Sequence, residues 1–262
     1  MRLADYMIGL TAQGMATFTQ AEICQALPGN LTAIQAALRR LKHKSSVAEP
    51  VQGFYVNITP EYRILGCLPA DHFIDELMHY LQAPYYVGLL SAAEYHGASH
   101  HKPQRLQVMT PQIRRPIQCG KVGITFIHKK DIANAPTQFF NSPQGPISVS
   151  TAETTAMDLV SYPHRCGGMD NVLTVLSELI EAMEPDALSQ LAQQNTHNIT
   201  WMQRLGFLLD SLQAMPLSDA LQMVLKQHRV QKRSLIATAS PKDAPYNEKW
   251  KLIINAELEL EI

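Results

Sequence analysis

Leu31, Ile34, Leu38 and Leu41 recur three and four residues apart, the spacing that gathers apolar side chains on one face of a helix. At 100° per residue the opposite face carries Thr32, Ala36, Arg39, Arg40 and His43. Residues 31–44 contain four Lys or Arg and no acid. Cations near a helix C-terminus also suit its dipole, so part of that bias is structural. Two shorter helices are predicted upstream. One covers residues 3–12 and ends at Gly14; the other opens at Thr19, with Glu22 three positions on as a capping box, and stops at Pro28-Gly29. Ser46–Glu49 and Phe54–Ile58 flank a Pro50–Gly53 turn and read as a hairpin. Helix, helix, basic helix, hairpin is the order of a winged helix-turn-helix, whose third helix enters the major groove while the wing lies beside the backbone.

Pro60 to Pro69 reads as a boundary, dividing the chain into residues 1–66 and 67–262. Beyond it the pattern predicts helices over 70–81 and 86–95, then short strands at 106–109, 122–127 and 147–149. A further helix is predicted to start from Ser150, with Glu153 completing a second capping box. Helical spacing continues through 169–183, 186–194, 201–212 and 218–228, and 234–239 reads as a short strand. At the end, Trp250, Leu252, Ile254, Ala256, Leu258, Leu260 and Ile262 alternate with mostly polar neighbours, the period of a long half-buried strand. The expected class is α+β: an N-terminal winged helix and a larger mixed α/β domain ending in a long β-strand.

Composition narrows the function. A net charge of −1 gives the whole molecule no bias toward nucleic acid, so DNA contact requires a local basic cluster such as 39–44. Cys24, Cys67, Cys119 and Cys166 are widely spaced without a C-x-x-C pair, which argues against thiolate zinc and a disulfide framework and fits a reducing cytosol. No apolar run approaches a membrane span, and Met1–Asp5 lacks the apolar core of a signal peptide; a cytoplasmic protein is expected.

Catalytic signatures are missing: no P-loop, G-x-G-x-x-G, H-E-x-x-H or G-x-S-x-G occurs. His96, His100 and His101 with Glu94 could set imidazoles a helical turn apart, but Gly97 ends that helix. Glu153 and Asp158, five apart, point in different directions around a helix, and so do Arg204 and Asp210. No catalytic residue, cofactor or metal is assigned from these residues.

Several phrases together resemble the AbiEi family, the antitoxin and regulator component of abortive-infection toxin–antitoxin systems. They are Ala36-Ala37-Leu38-Arg39-Arg40-Leu41, Gly53-Phe54-Tyr55-Val56, the run Tyr85 to Gly97, the run Ser150 to Val160, Gln203 to Leu209 and Trp250 to Asn255. Thr154 stands where members of the family often carry Arg, so no role of that Arg transfers, while Asp158 matches. The resemblance implies an autorepressor that binds repeats upstream of its own operon. It also implies an antitoxin that counteracts a co-encoded nucleotidyltransferase-like toxin in phage defence, in many members without a stable complex. The N-terminal domain would bind DNA and the C-terminal domain would neutralise the toxin.

On this reading Thr32, Gln35, Ala36, Arg39 and Arg40 approach base edges or flanking phosphates, and Lys42, His43 and Lys44 contact the backbone of double-stranded DNA. Two alternatives stay open. One is a metal-dependent nuclease that uses the winged helix for targeting; the other is a winged helix serving only as a protein-docking module.

Overall fold

The computed structural model describes residues 3–27, 30–98 and 103–260. The predicted helix stop at Pro28-Gly29, the histidines 100 and 101 and the last two positions of the C-terminal alternation lie outside them. The described chain is mixed α and β, and it divides into two compact units. The first comprises residues 1–87, 104–134 and 139–148, and the second 88–103, 135–138 and 149–262. The boundary expected after residue 66 falls inside the first unit.

The first unit opens with α1 (Leu3–Ala12), β1 (Thr17–Thr19), α2 (Gln20–Ala26), α3 (Leu31–His43), β2 (Val47–Val51) and β3 (Phe54–Asn57). The strands form an antiparallel sheet in the order β1-β3-β2. Beneath it Met7, Leu10, Phe18, Ile23, Ile34, Leu38 and Tyr55 pack into one apolar cluster, with the Phe18 and Tyr55 rings stacked at 5.4 Å. The α2 capping box forms as its sequence prescribes: Glu22 N–H donates to Thr19 Oγ1 at 3.2 Å, and Thr19 N–H to Glu22 Oε2 at 2.6 Å.

The unit continues with α4 (Ile74–Tyr80), β4 (Tyr86–Val87), then, past α5 (Leu89–Tyr95) of the second unit, β5 (Leu106–Thr110), β6 (Ile117–Cys119) and β7 (Val122–His128). These strands join β8 (Thr137–Ser142) and β9 (Gly145–Ser150) in a sheet of order β6-β7-β5-β4-β9-β8, with β5 and β7 parallel. The helix predicted over 86–95 is divided. Tyr86 and Val87 pair with Met109 and Val108, and Gly88 is extended, so the helix begins only at Leu89. A two-residue strand has no periodicity of its own; its partner on β5 defines it.

In the second unit α6 (Ala152–Ser161) is buried from Ala152 through Val160, surrounded by α5, α7 (Met169–Leu179), α8 (Pro185–Gln194) and α9 (Thr200–Ser211). Its cap differs from expectation. Thr151 is the N-cap, accepting the Thr154 N–H at 3.3 Å, whereas Ser150 Oγ shares a 2.7 Å hydrogen bond with Thr155 Oγ1. Glu153 reaches instead to the Glu184 N–H at 2.9 Å. Helix α10 (Met215–Leu225) and a small sheet of β10 (Arg233–Ser234), β11 (Tyr246–Asn247) and β12 (Leu252–Ile253) complete the unit.

The long terminal strand does not form. Lys251 takes φ +54°, which breaks extension at its start, and β12 is two residues long. After it, the Asn255 side chain accepts Ile236 N–H at 3.0 Å and donates to the carbonyls of Ile236 at 2.8 Å and Ala239 at 2.9 Å. A side chain holds this segment where a ladder was expected, and Leu260 stays 45% exposed. Alternation alone supplies no neighbouring strand.

Candidate nucleic-acid interface

Helix α3 is positioned by its inner face. Ile34 and Leu38 are buried and Ala37 and Leu41 are half-buried against the core, while Leu31, expected inside, is 46% exposed at the first helical position. Asn30 caps the helix, accepting the Thr32 N–H at 2.9 Å. The outer face then presents Thr32, Gln35, Ala36, Arg39, Arg40 and His43, with Lys42 and Lys44 beside them, all exposed. One surface thus gathers every residue assigned to DNA contact.

These side chains are not equally free. Lys42 pairs with Glu49 of β2, and the same carboxylate accepts the Gly53 N–H at 3.1 Å. Against the burial that raises it, these bonds hold the Glu49 carboxyl below its ordinary range. Arg39, Arg40, His43 and Lys44 form no ion pair among the described residues. An arginine left unpaired on a small-residue face can present its planar fork to a guanine or a phosphate. Ala36 between them leaves room for close approach.

The hairpin beside this face differs in character. Residues 47–57 carry no Lys or Arg. Its tip is held from α4, where Tyr80 donates to the Gln52 carbonyl at 3.0 Å and its ring lies 5.4 Å from that of Phe54. Gly53 has φ +81°, and a Cβ there would stand 2.8 Å from the Tyr80 hydroxyl. The positive charge of this surface therefore comes from α3, and the hairpin supplies a pinned support.

Among the described residues, several of those weighed for catalysis make contacts within the fold. His96 uses both ring nitrogens, one 2.7 Å from the Ser150 carbonyl and the other 3.3 Å from Gln138 Nε2. Asp158 is fully buried in α6; burial and its charge push the neighbouring Cys166 thiol up to about 12 and raise Tyr162 as well. Arg204 donates to the Ser234 carbonyl at 3.3 Å and does not meet Asp210. Asp210 accepts from Ser218 Oγ at 2.6 Å, Lys249 Nζ at 2.8 Å and Trp250 Nε1 at 2.6 Å. Among the described residues no group of three His, Cys, Asp or Glu could hold a metal ion, and no helix is long and apolar enough to cross a membrane. Sequence reasoning missed the Lys42–Glu49 pair, for which seven residues of separation across two elements leave no pattern.

Residues 86–211 match the family model described as the AbiEi antitoxin C-terminal domain. Among solved structures, the crystal structure of the RV2827C protein from Mycobacterium tuberculosis superimposes with a TM-score of 0.67 at 17% identity, over 95% of this chain and 89% of that one. At that identity the likeness is one of fold. The solution structure of the antibiotic-resistance factor ANT(2'')-Ia aligns at a TM-score of 0.31 and 11% identity, over 60% of this chain and 96% of that one, too low to carry an argument. No curated protein matches the chain.

Proposed function

Because the chain carries an AbiEi antitoxin C-terminal domain over residues 86–211, we propose that it is the antitoxin of a toxin–antitoxin operon and the operon's own DNA-binding repressor. In this reading residues 1–66 are a winged helix-turn-helix with α3 as the reading helix, and residues 67–262 neutralise a nucleotidyltransferase-like toxin in the cytoplasm without catalysing a reaction. The observation that carries the DNA-binding part is the outer face of α3, where Arg39, Arg40, His43 and Lys44 are exposed and free of carboxylates among the described residues. Arg39 and Arg40 read bases or flanking phosphates, with Thr32, Gln35 and Ala36 shaping the contact. His43 and Lys44 meet the backbone, and Lys42 does so only by leaving Glu49.

A gel shift tests this, using the full chain, the DNA upstream of its gene, a scrambled fragment and a salt series. Specific binding that weakens with salt is expected, since each neutralised phosphate releases counterions. Losing a base-reading arginine costs ~1–3 kcal/mol, so Arg39→Ala with Arg40→Ala should reduce operator affinity by more than about tenfold. The same double variant should still rescue growth against the neighbouring toxin. Unchanged operator affinity at fixed salt removes α3 as the reader. Co-elution with the toxin without preference for the operator favours a protein-docking role.

A further inference from the structure

Within the second unit a cavity of about 360 Å³ opens between the turn after α6, the start of α7, α9 and the segment that follows β10. Small-molecule pockets span ~300–1,000 Å³. Met169 and Leu235, both buried, and Ile236 give it apolar walls. Backbone bonds hold the wall at residues 235–236: Leu235 N–H donates to the Ile253 carbonyl at 3.0 Å, and the Asn255 side chain takes both backbone groups of Ile236. From α9, Arg204 adds a half-buried cation to the lining. Its guanidinium makes a single hydrogen bond, to the Ser234 carbonyl at 3.3 Å, and pairs with no carboxylate among the described residues. The enclosed Nε has no acceptor. Burial pulls this guanidinium below its ordinary value, yet an arginine stays charged near neutral pH. Asp170 also lines the cavity without pairing to Arg204, and its Oδ1 accepts the Glu259 N–H at 3.1 Å.

We propose that this cavity binds a small organic monocarboxylate, with the carboxylate on Arg204 and an apolar body against Met169, Leu235 and Ile236. A half-buried charge short of acceptors carries a desolvation cost that the protein does not offset, and a ligand anion offsets it. The planar guanidinium matches a planar carboxylate and can hold it through parallel hydrogen bonds. The charges on the lining set the class of anion. One arginine together with one aspartate suits a single negative charge better than the roughly two carried by a phosphate monoester at neutral pH. The apolar walls favour a body without further charge. Helix α3 takes no part, so the site stands apart from the DNA-binding reading.

The test titrates the full, ¹⁵N-labelled chain with benzoate, benzamide and phenyl phosphate and follows the Arg204 Nε–H signal by NMR. A saturable shift with millimolar benzoate is expected, with benzamide and phenyl phosphate each binding more weakly. Arg204→Gln should weaken benzoate by more than about tenfold, read from the Met169 methyl signal, as a charge-assisted hydrogen bond is lost. Ala237→Trp fills the cavity from an exposed position on its lining and leaves Arg204 in place, so it should abolish the shift. Circular dichroism checks that both variants fold, and if Arg204→Gln does not, Ala237→Trp and the benzamide comparison decide. Absence of a saturable benzoate shift, or one that survives Ala237→Trp, would overturn the site. Equal binding of benzamide, or benzoate affinity unchanged in Arg204→Gln, would overturn the role of Arg204. Tighter binding of phenyl phosphate would overturn the choice of a carboxylate.

Discussion

Replacing Asp210 by Ala removes the acceptor on which α9, α10 and the C-terminal segment converge. The carboxylate takes Trp250 Nε1 at 2.6 Å, Ser218 Oγ at 2.6 Å and Lys249 Nζ at 2.8 Å. The three donors weigh differently. Trp250 is fully buried, so its indole N–H, stripped of a partner, costs ~1–3 kcal/mol. Ser218 is also buried, but its hydroxyl keeps the Met215 carbonyl at 3.4 Å, so its loss is about 1 kcal/mol. Lys249 is 31% exposed and can be rehydrated, leaving ~0–1 kcal/mol. Asp210→Ala should therefore destabilise the fold by about 3–4 kcal/mol in urea unfolding followed by Trp fluorescence, with Lys249→Met within about 1 kcal/mol of the parent. Hydrogen bonds from Lys249, Ser218 and Trp250, acting against burial, hold the Asp210 carboxyl below its ordinary value. Its contribution is thus complete above the unfolded carboxylate pKa of ~4 and is lost as pH falls through the lower folded value, so Asp210→Asn should flatten that acid limb. A loss below about 1 kcal/mol for Asp210→Ala would refute the reasoning, because a buried indole N–H cannot lose its acceptor at so small a cost.

Three further outcomes follow from the packing. Gly206→Ala would set a Cβ 2.2 Å from ring carbons of Trp250, so ~1–3 kcal/mol of overpacking and a shifted Trp emission are expected in the purified variant. Thr151→Ala removes the N-cap bond of α6 and should lower the unfolding free energy by about 1 kcal/mol, measurable in urea titrations. Leu38→Ala opens a cavity under α3 and should destabilise the first unit by ~2–5 kcal/mol, seen as an earlier thermal loss of ellipticity; an unchanged melting curve would show that this helix is not anchored there.

Much of the N-terminal unit was legible in the chain because its signals act over a few residues. The Thr19 capping box joins positions three apart, and the outward basic stripe of α3 follows from helical spacing around Ile34 and Leu38. The exposure of the residues assigned to DNA contact was legible in the same sense: the side chains that a 100° rotation sets opposite the core are the exposed ones. What that pattern could not carry was pairing. Nothing local marks Lys42 for Glu49, or Asp210 for Trp250, since each contact joins segments that meet only after the chain has turned back on itself.

The same distinction explains the errors. At Tyr86–Val87 an apolar run read as helix becomes strand because β5 offers ladder partners. At residues 250–260 strand alternation yields β12 alone, because Lys251 turns out of extension and Asn255 takes the backbone groups a ladder would have used. Around α6 the cap moved from Ser150 to Thr151, and Glu153 turned from its own helix to the Glu184 N–H. By itself the sequence determined most of the helices and their faces, the α2 capping box and the family resemblance, because periodicity and capping are settled within one or two turns of chain. Only the tertiary structure decided which of the expected strands form and which charges are already paired, because a backbone group or a charge takes its partner from whatever distant segment packing brings within hydrogen-bond reach.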